Sequence, residues 1–147
     1  VYFDESGFEA QSHRPYGWAK CGVKVRGKIT GNKKKGHTNL IMAQRKKEWL
    51  APMVFEGGRT HKTVLSWMGQ ALISELRPNS LIIMDNAPFH PKSQIKDLLE
   101  KHGHKLMPLP TYSPDFNPIV QSFAIIKRIR RFSGQTLESV IRNYKFE

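Results

Sequence analysis

The apolar positions of the first third of the chain come in short β-rich runs separated by glycine. Val1-Tyr2-Phe3-Asp4 opens on such a run, without an initiator Met, and reads as the start of a segment cut from something longer or processed. Gly17 to Gly31 (GWAKCGVKVRGKITG) reads as short strands with glycine turns. His37 to Arg45 (HTNLIMAQR) reads as a strand between two basic clusters, and Trp49 to Phe55 as a further apolar run closed by Gly57-Gly58. Together these runs predict an antiparallel meander.

The period then changes. Val64, Leu65, Met68, Leu72 and Leu76 recur at three and four residues and stop at Arg77-Pro78, which predicts an amphipathic helix. Ser80 to Asn86 (SLIIMDN) is a continuous apolar run ending in an acid, the pattern of a strand buried on both faces. A helix is expected from about Ser93 to His102, with Ile95, Leu98 and Leu99 turned inward and Gly103 ending it. Lys105 to Pro110 reads as another buried strand. A last clear helix should run from near Pro118 to about Phe132, with a weaker one over Thr136 to Tyr144. This order predicts an α/β domain, a mixed sheet with helices packed on its faces.

Composition narrows the class. A chain of 147 residues with 39% hydrophobic content can build one core. No run reaches the length of a membrane span, and no secretory signal is visible. The single cysteine, Cys21, excludes an internal disulfide and any paired zinc spacing, which fits a reducing, cytoplasmic setting.

Charge changes the picture most. Twenty-four Lys and Arg against 12 Asp and Glu give a net charge of +12. The positive residues cluster at Lys33-Lys34-Lys35, Arg45-Lys46-Lys47 and Lys127 to Arg131, which points to a polyanionic partner, double-stranded DNA first. Within this basic chain Asp4 lies in the first strand and Asp85 ends the most apolar one. A carboxylate at a buried strand end is costly unless a metal, a cation or backbone donors compensate it. Two such acids meeting at adjacent strand ends would suit Mg²⁺ and phosphodiester chemistry. Glu5 is the neighbouring candidate, but successive strand residues point to opposite faces, so at most one of the pair enters a site.

Four stretches carry a resemblance to a known family. They are Asp4-Glu5-Ser6, the Gly17-Trp18-Ala19 region, Ile83-Met84-Asp85-Asn86-Ala87-Pro88-Phe89-His90, and Leu109-Pro110-Thr111-Tyr112-Ser113-Pro114-Asp115-Phe116-Asn117-Pro118-Ile119. Over about residues 1–132 the chain resembles the catalytic domain of mariner-like insertion-sequence transposases, the DDE superfamily endonuclease type. The resemblance implies a ribonuclease H-like mixed five-stranded sheet with helices on both faces. It implies a DDE-type catalytic domain over 1–132, a helical C-terminal extension over 133–147, and an upstream DNA-recognition domain that this chain lacks. It also implies a two-metal site for Mg²⁺ or Mn²⁺, cleavage of transposon ends, and joining of the freed 3′-hydroxyl to target DNA. Asp4 and Asp85 would be the first and second catalytic acids and metal ligands. The expected setting is a homodimer on DNA at a bacterial nucleoid.

The family's third acid is a Glu following Asn-Pro-Ile, and that position is Val120. The start of the last helix makes the valine odd on physical grounds as well. With Asn117 as N-cap and Pro118 at the first helical position, residue 120 falls where Glu or Gln completes a capping box. Valine there costs the helix about 0.5–2 kcal/mol at most; its larger cost is to chemistry. Gln121 points about 100° away around the helix, and Asp115, in the preceding loop, is the nearest acid that could reach inward. Impaired catalysis is therefore expected.

Asn86 and His90 should stand beside the acids, with His90 holding a phosphate or orienting a water, or serving only as a helix-start residue. Lys127, Arg128, Arg130 and Arg131 are the expected phosphate contacts, against the alternative of a solvated helix face. Trp18 is expected in the core rather than stacked on a base. Two other functions compete with the transposase: a DNA-binding or dimerising remnant without catalysis, and a structure-directed nuclease of the same fold.

Overall fold

The structure, a computed structural model, describes residues 1–9, 20–22, 37–88 and 90–147. Trp18, Lys33-Lys34-Lys35 and most of the strands expected between Gly17 and Gly31 lie outside the described residues.

Five strands form one sheet: β1 (Tyr2–Glu9), β2 (His37–Arg45), β3 (Glu48–Glu56), β4 (Leu81–Met84) and β5 (Lys105–Pro108). Their order across the sheet is β3-β2-β1-β4-β5. The first three form the antiparallel meander, with Asp4 opposite Met42. β4 then joins β1 in parallel, Tyr2 beside Ile83, and β5 continues in parallel from β4. This is the mixed sheet expected of a ribonuclease H-like domain.

Each face of the sheet carries its own core. On one face a continuous helix runs through α1 (His61–Trp67), a π-helical stretch (Met68–Leu72) and a last turn, α2 (Ile73–Glu75); α3 (Lys92–Lys101) lies on the same face. Val64, Trp67, Met68, Leu72, Ile95 and Leu99 meet Phe3, Ile41, Ala43, Ile82 and Met84 there. On the other face α4 (Ile119–Ser133) and α5 (Leu137–Asn143) bring Ile119, Phe123, Ile126, Leu137 and Val140 against Phe8, Leu40 and Met42. β2 serves both cores, which is why its residues from Asn39 to Gln44 are all buried. Successive side chains simply alternate between two covered faces.

Gly103 ends α3 as expected, and other helix ends carry similar signals. Thr60 caps α1, its side chain accepting from Thr63 N–H. Gly103 and Gly134, at φ +80° and +66°, follow α3 and α4, positions where a Cβ would be strained. Thr136 caps α5 in the same way as Thr60 caps α1. Past α5, Tyr144 stacks on Trp49 at 4.7 Å between ring centres and Phe146 meets the same indole edge-on at 5.1 Å. No helix among the described residues is long and apolar enough to cross a membrane.

The two apolar runs read as doubly buried strands differ from that expectation. Ile82 and Met84 are fully buried, but Leu81 is 42% exposed and Ile83 only half-buried. β5 is the sheet edge, with Lys105, Met107 and Pro108 exposed. α4 and α5 cover the other end of the sheet, so an apolar run here fills one core rather than two.

An irregularity between β2 and β3 is held by the first helix. The pairing register shifts between Ile41 and Ala43, and opposite it Ala51 adopts φ +46°. Its N–H donates to Glu75 Oε2 at 2.8 Å, and its carbonyl accepts from Trp67 Nε1 at 2.7 Å. Backbone groups displaced from the ladder at a bulge thus find side-chain partners. Trp67→Phe would leave that buried carbonyl unpaired, with an expected loss of about 1–3 kcal/mol in urea unfolding from this group alone. An unchanged midpoint would show that the bulge does not depend on the indole.

Candidate metal and nucleic-acid site

Strand register brings the two acids together. Tyr2 and Ile83 are neighbours on parallel strands, and two residues further along each, on the same face, come Asp4 and Asp85. Asp4 therefore points to the side covered by α4, with Tyr2 and Phe8. Glu5 points to the opposite side, where it lines a separate cavity of about 280 Å³ with Arg59, His61 and His90. Asp4 and Asp85 line a cleft of about 310 Å³, together with Asn86, Thr111, Asn117 and Val120. Of the adjacent acids at the start of the chain, only Asp4 faces this cleft.

His90 closes the group from behind. Its side chain is 2% exposed, its ring sits edge-on to Phe3, and its Nε2 lies 3.0 Å from Asp85 Oδ1. One ligand atom from each of Asp4, Asp85 and His90 falls within 4.8 Å of the others. Burial pushes the Asp4 carboxyl up to about 6; the Glu5 N–H, donating to Asp4 Oδ1 at 2.8 Å, and His90 oppose this, while Asp85 and Glu5 add to it. Burial likewise raises Glu5. Carboxyls held high by desolvation and like charge gain most from a nearby cation. The donor set, two carboxylates and an imidazole at one point of a cleft, fits a divalent metal.

Position 120 faces the same space without charge. Val120 is 40% exposed and lines the cleft across from the acids. The helix start differs from the expected capping box in a specific way. A 3-10 turn (Pro114–Phe116) precedes it, Pro118 is the N-cap, and no side chain caps the helix. Val120 N–H donates instead to the Asn117 carbonyl at 3.1 Å. The Asn117 side chain turns inward, 2% exposed, and neither polar atom of its amide meets a partner among the described residues. Val120 is thus the second helical residue, and α4 has no acid in its first turn. Asp115 and Gln121 are exposed, and neither lines the cleft, so among the described residues Asp4 and Asp85 are the carboxylates that line it.

The remaining candidates divide. Asn86 lines the cleft, its amide donating to Thr111 Oγ1 at 3.4 Å and its Oδ1 accepting from the Lys92 ammonium. Lys127, Arg128 and Arg131 are exposed on α4, Lys127 and Arg131 on the stripe that begins at Val120. Lys127 also lies 5.3 Å from the centre of the Phe8 ring. Arg130 is turned toward the sheet instead: it donates to the Glu9 carbonyl at 2.6 Å and sits 5.9 Å from the Phe8 ring. Asn117, Thr111 and Lys92 were not singled out in sequence as site residues. Asn117 and Thr111 are loop positions whose direction depends on the turn at Pro114, and Lys92 looks like any first-turn lysine.

Comparison with known proteins agrees with this architecture. Residues 1–140 match the DDE superfamily endonuclease family. No curated protein matches the chain. Among solved structures, the Mos1 strand transfer complex is similar with a TM-score of 0.69 at 21% identity, over 96% of this chain and 44% of that one. The mariner Mos1 paired-end complex with Mg gives 0.70 at 19% identity, over 96% and 45%. The Mos1 transposase paired-end complex with left transposon end gives 0.68 at 19%, again over 96% and 45%. The chain thus spans less than half the length of these structures, and at such identities the likeness is one of fold. The family match, by contrast, runs through both acids and past position 120, and places this chain in the DDE superfamily of endonucleases.

Proposed function

We propose that this chain is the catalytic domain of a mariner-like DNA transposase, built to cut transposon-end phosphodiesters and transfer the 3′-hydroxyl, and that Val120 leaves it severely impaired. The observation that carries the reading is the meeting of Asp4 and Asp85 on neighbouring parallel strands, at a cleft whose far side is position 120. A divalent cation such as Mg²⁺ or Mn²⁺ held by these acids would neutralise phosphate charge and favour the attacking oxygen. Asn86 and Thr111 flank the acids and present amide and hydroxyl groups to a strand in the cleft. Lys127, Arg128 and Arg131 give that strand a positive approach, whereas Arg130 holds the end of β1. Duplex DNA, both transposon ends and target, is the expected substrate, bound by two copies of the protein.

A second reading, a DNA-binding remnant without catalysis, is favoured by Val120 itself. Both readings require the basic surface. Retention on duplex DNA should therefore fall by ~10³–10⁵ between low and moderate salt if about 6–10 phosphates are contacted. Lys127→Ala/Arg131→Ala should weaken binding and reduce the salt slope by roughly 2. Salt-insensitive retention would exclude both. Metal-dependent nicking on restoring a glutamate at position 120 separates them.

A further inference from the structure

His90 is the candidate for which phosphate contact alone is a poor explanation. Its side chain is almost wholly buried, and it lines the inner cavity with Glu5 rather than the cleft itself. A residue that meets DNA should stand at the cleft wall, as Asn86 does. Only the edge of the imidazole bearing Nε2 reaches the acid pair, from behind the sheet end. With Asp4 and Asp85 it completes a three-ligand group whose atoms lie within 4.8 Å of each other. Small rotations of the two carboxylates would bring all three onto one ion, with the cleft side open for water or substrate.

A second feature of the cleft points to a ligand independently. Asn117, one of the residues lining the cleft, is 2% exposed, and its amide has no partner for either polar atom among the described residues. A buried amide left in this state is costly, by about 1–3 kcal/mol. A hydrated ion, or a phosphate oxygen beside it, would satisfy the amide.

Resting on the proposed metal-dependent reading of the acid pair, we infer that Asp4, Asp85 and His90 together form a single-ion site, with His90 Nε2 as a direct ligand. Such a site favours Co²⁺ or Zn²⁺, and to a lesser degree Mn²⁺, over Mg²⁺. An imidazole nitrogen suits those ions, whereas Mg²⁺ prefers an all-oxygen octahedron. Glu5 adds the outer support common to ligating histidines. It lines the inner cavity together with His90, a place from which a carboxylate can steady an imidazole. In this chain, then, the ion would be retained on the sheet side without any carboxylate at position 120.

The test is pulsed electron paramagnetic resonance of the Mn²⁺-loaded protein, with Co²⁺ and Mg²⁺ titrations by thermal shift. The expected spectrum shows modulation from a directly bound nitrogen, and Co²⁺ should bind at least tenfold more tightly than Mg²⁺. His90→Phe keeps a ring against Phe3 and should lose the nitrogen signal and about tenfold in Co²⁺ affinity, with Mg²⁺ affinity little changed. Should that variant fold poorly, His90→Ala with added imidazole should recover both the signal and Co²⁺ binding. Bound Mn²⁺ without nitrogen modulation, or equal affinities for Co²⁺ and Mg²⁺, would overturn the inference and leave His90 as a positioning residue for Asp85. Asp85→Asn separates the two levels: it should lose all three ions, and if it does not, the acid-pair reading fails as well.

Discussion

Val120→Glu is expected to raise Mn²⁺-dependent nicking of supercoiled DNA by more than roughly 100-fold over the parent chain. The magnitude follows from what is restored. Loss of an outer-shell partner of a metal site already costs ~10–100-fold, and a carboxylate facing the ion and the scissile phosphate should exceed that. The fold should accept the change readily, because Val120 is 40% exposed and makes no part of either core. α4 has no acid in its first turn, so a glutamate there also gains about 0.3–1 kcal/mol from the helix dipole. In chelator, repulsion from Asp4 and Asp85 should offset some of that gain. Asp85→Asn in the restored background should return nicking to the parent level. Equal nicking by parent and restored chains would mean that the valine is not the lesion. If both fold and bind DNA but neither cuts, the remnant reading prevails.

Asp4→Asn should stabilise the metal-free protein at neutral pH while abolishing its response to metal. The Asp4 carboxyl rises from 3.8 to about 6 on folding, burial being the main cause. The folded state therefore holds this proton more tightly than the unfolded state does. The contribution of Asp4 becomes adverse as pH climbs from about 4 through 6 and stays adverse above. Asparagine removes the ionisation and keeps an oxygen to accept the Glu5 N–H. In chelator the expected gain is about 1–3 kcal/mol, the upper figure corresponding to the full displacement of the carboxyl and the lower allowing for its partial exposure. Saturating Mn²⁺ should reverse the order, raising the melting temperature of the parent and not that of the variant. Destabilisation of Asp4→Asn in chelator at neutral pH would show that the charged carboxylate is already compensated.

What could be read before folding follows from which interactions are local. The helices were legible because period and punctuation are written in the residues themselves: Val64 to Leu76 with its stop at Arg77-Pro78, and Ile95 to Leu99 with Gly103. Asp4 and Asp85 stood out as candidates because one lies in the first strand and the other follows the most apolar one in a basic chain. Their register was not legible, since it depends on one parallel pairing, Tyr2 beside Ile83. Burial of β4 and β5 was overread for the same kind of reason. An apolar tetrapeptide does not reveal how far a distant helix extends across the sheet. Asn117 looked like a cap because Asn before Pro usually is one, but the 3-10 turn at Pro114 rotates its amide inward. His90 reads in sequence as either a helix start or a site residue, because neither Phe3 beside its ring nor Asp85 at 3.0 Å is near it in the chain.

The cleft has one stiff wall and one compliant wall. Asp4 and Asp85 stand two residues beyond the β1–β4 pair of Tyr2 and Ile83, on backbone that shifts little without breaking the sheet. Position 120 rides on α4, which meets the sheet through side chains: Ile119, Phe123 and Ile126 against Phe8, Leu40 and Met42, and the Ser122 hydroxyl donating to Gln44 Oε1 at 2.6 Å. Packed helices slide by an ångström or two where paired strands do not. A DNA strand entering this cleft would thus adjust the helix to the acids and not the acids to the helix, so that the width of the cleft is set by the wall carrying the valine.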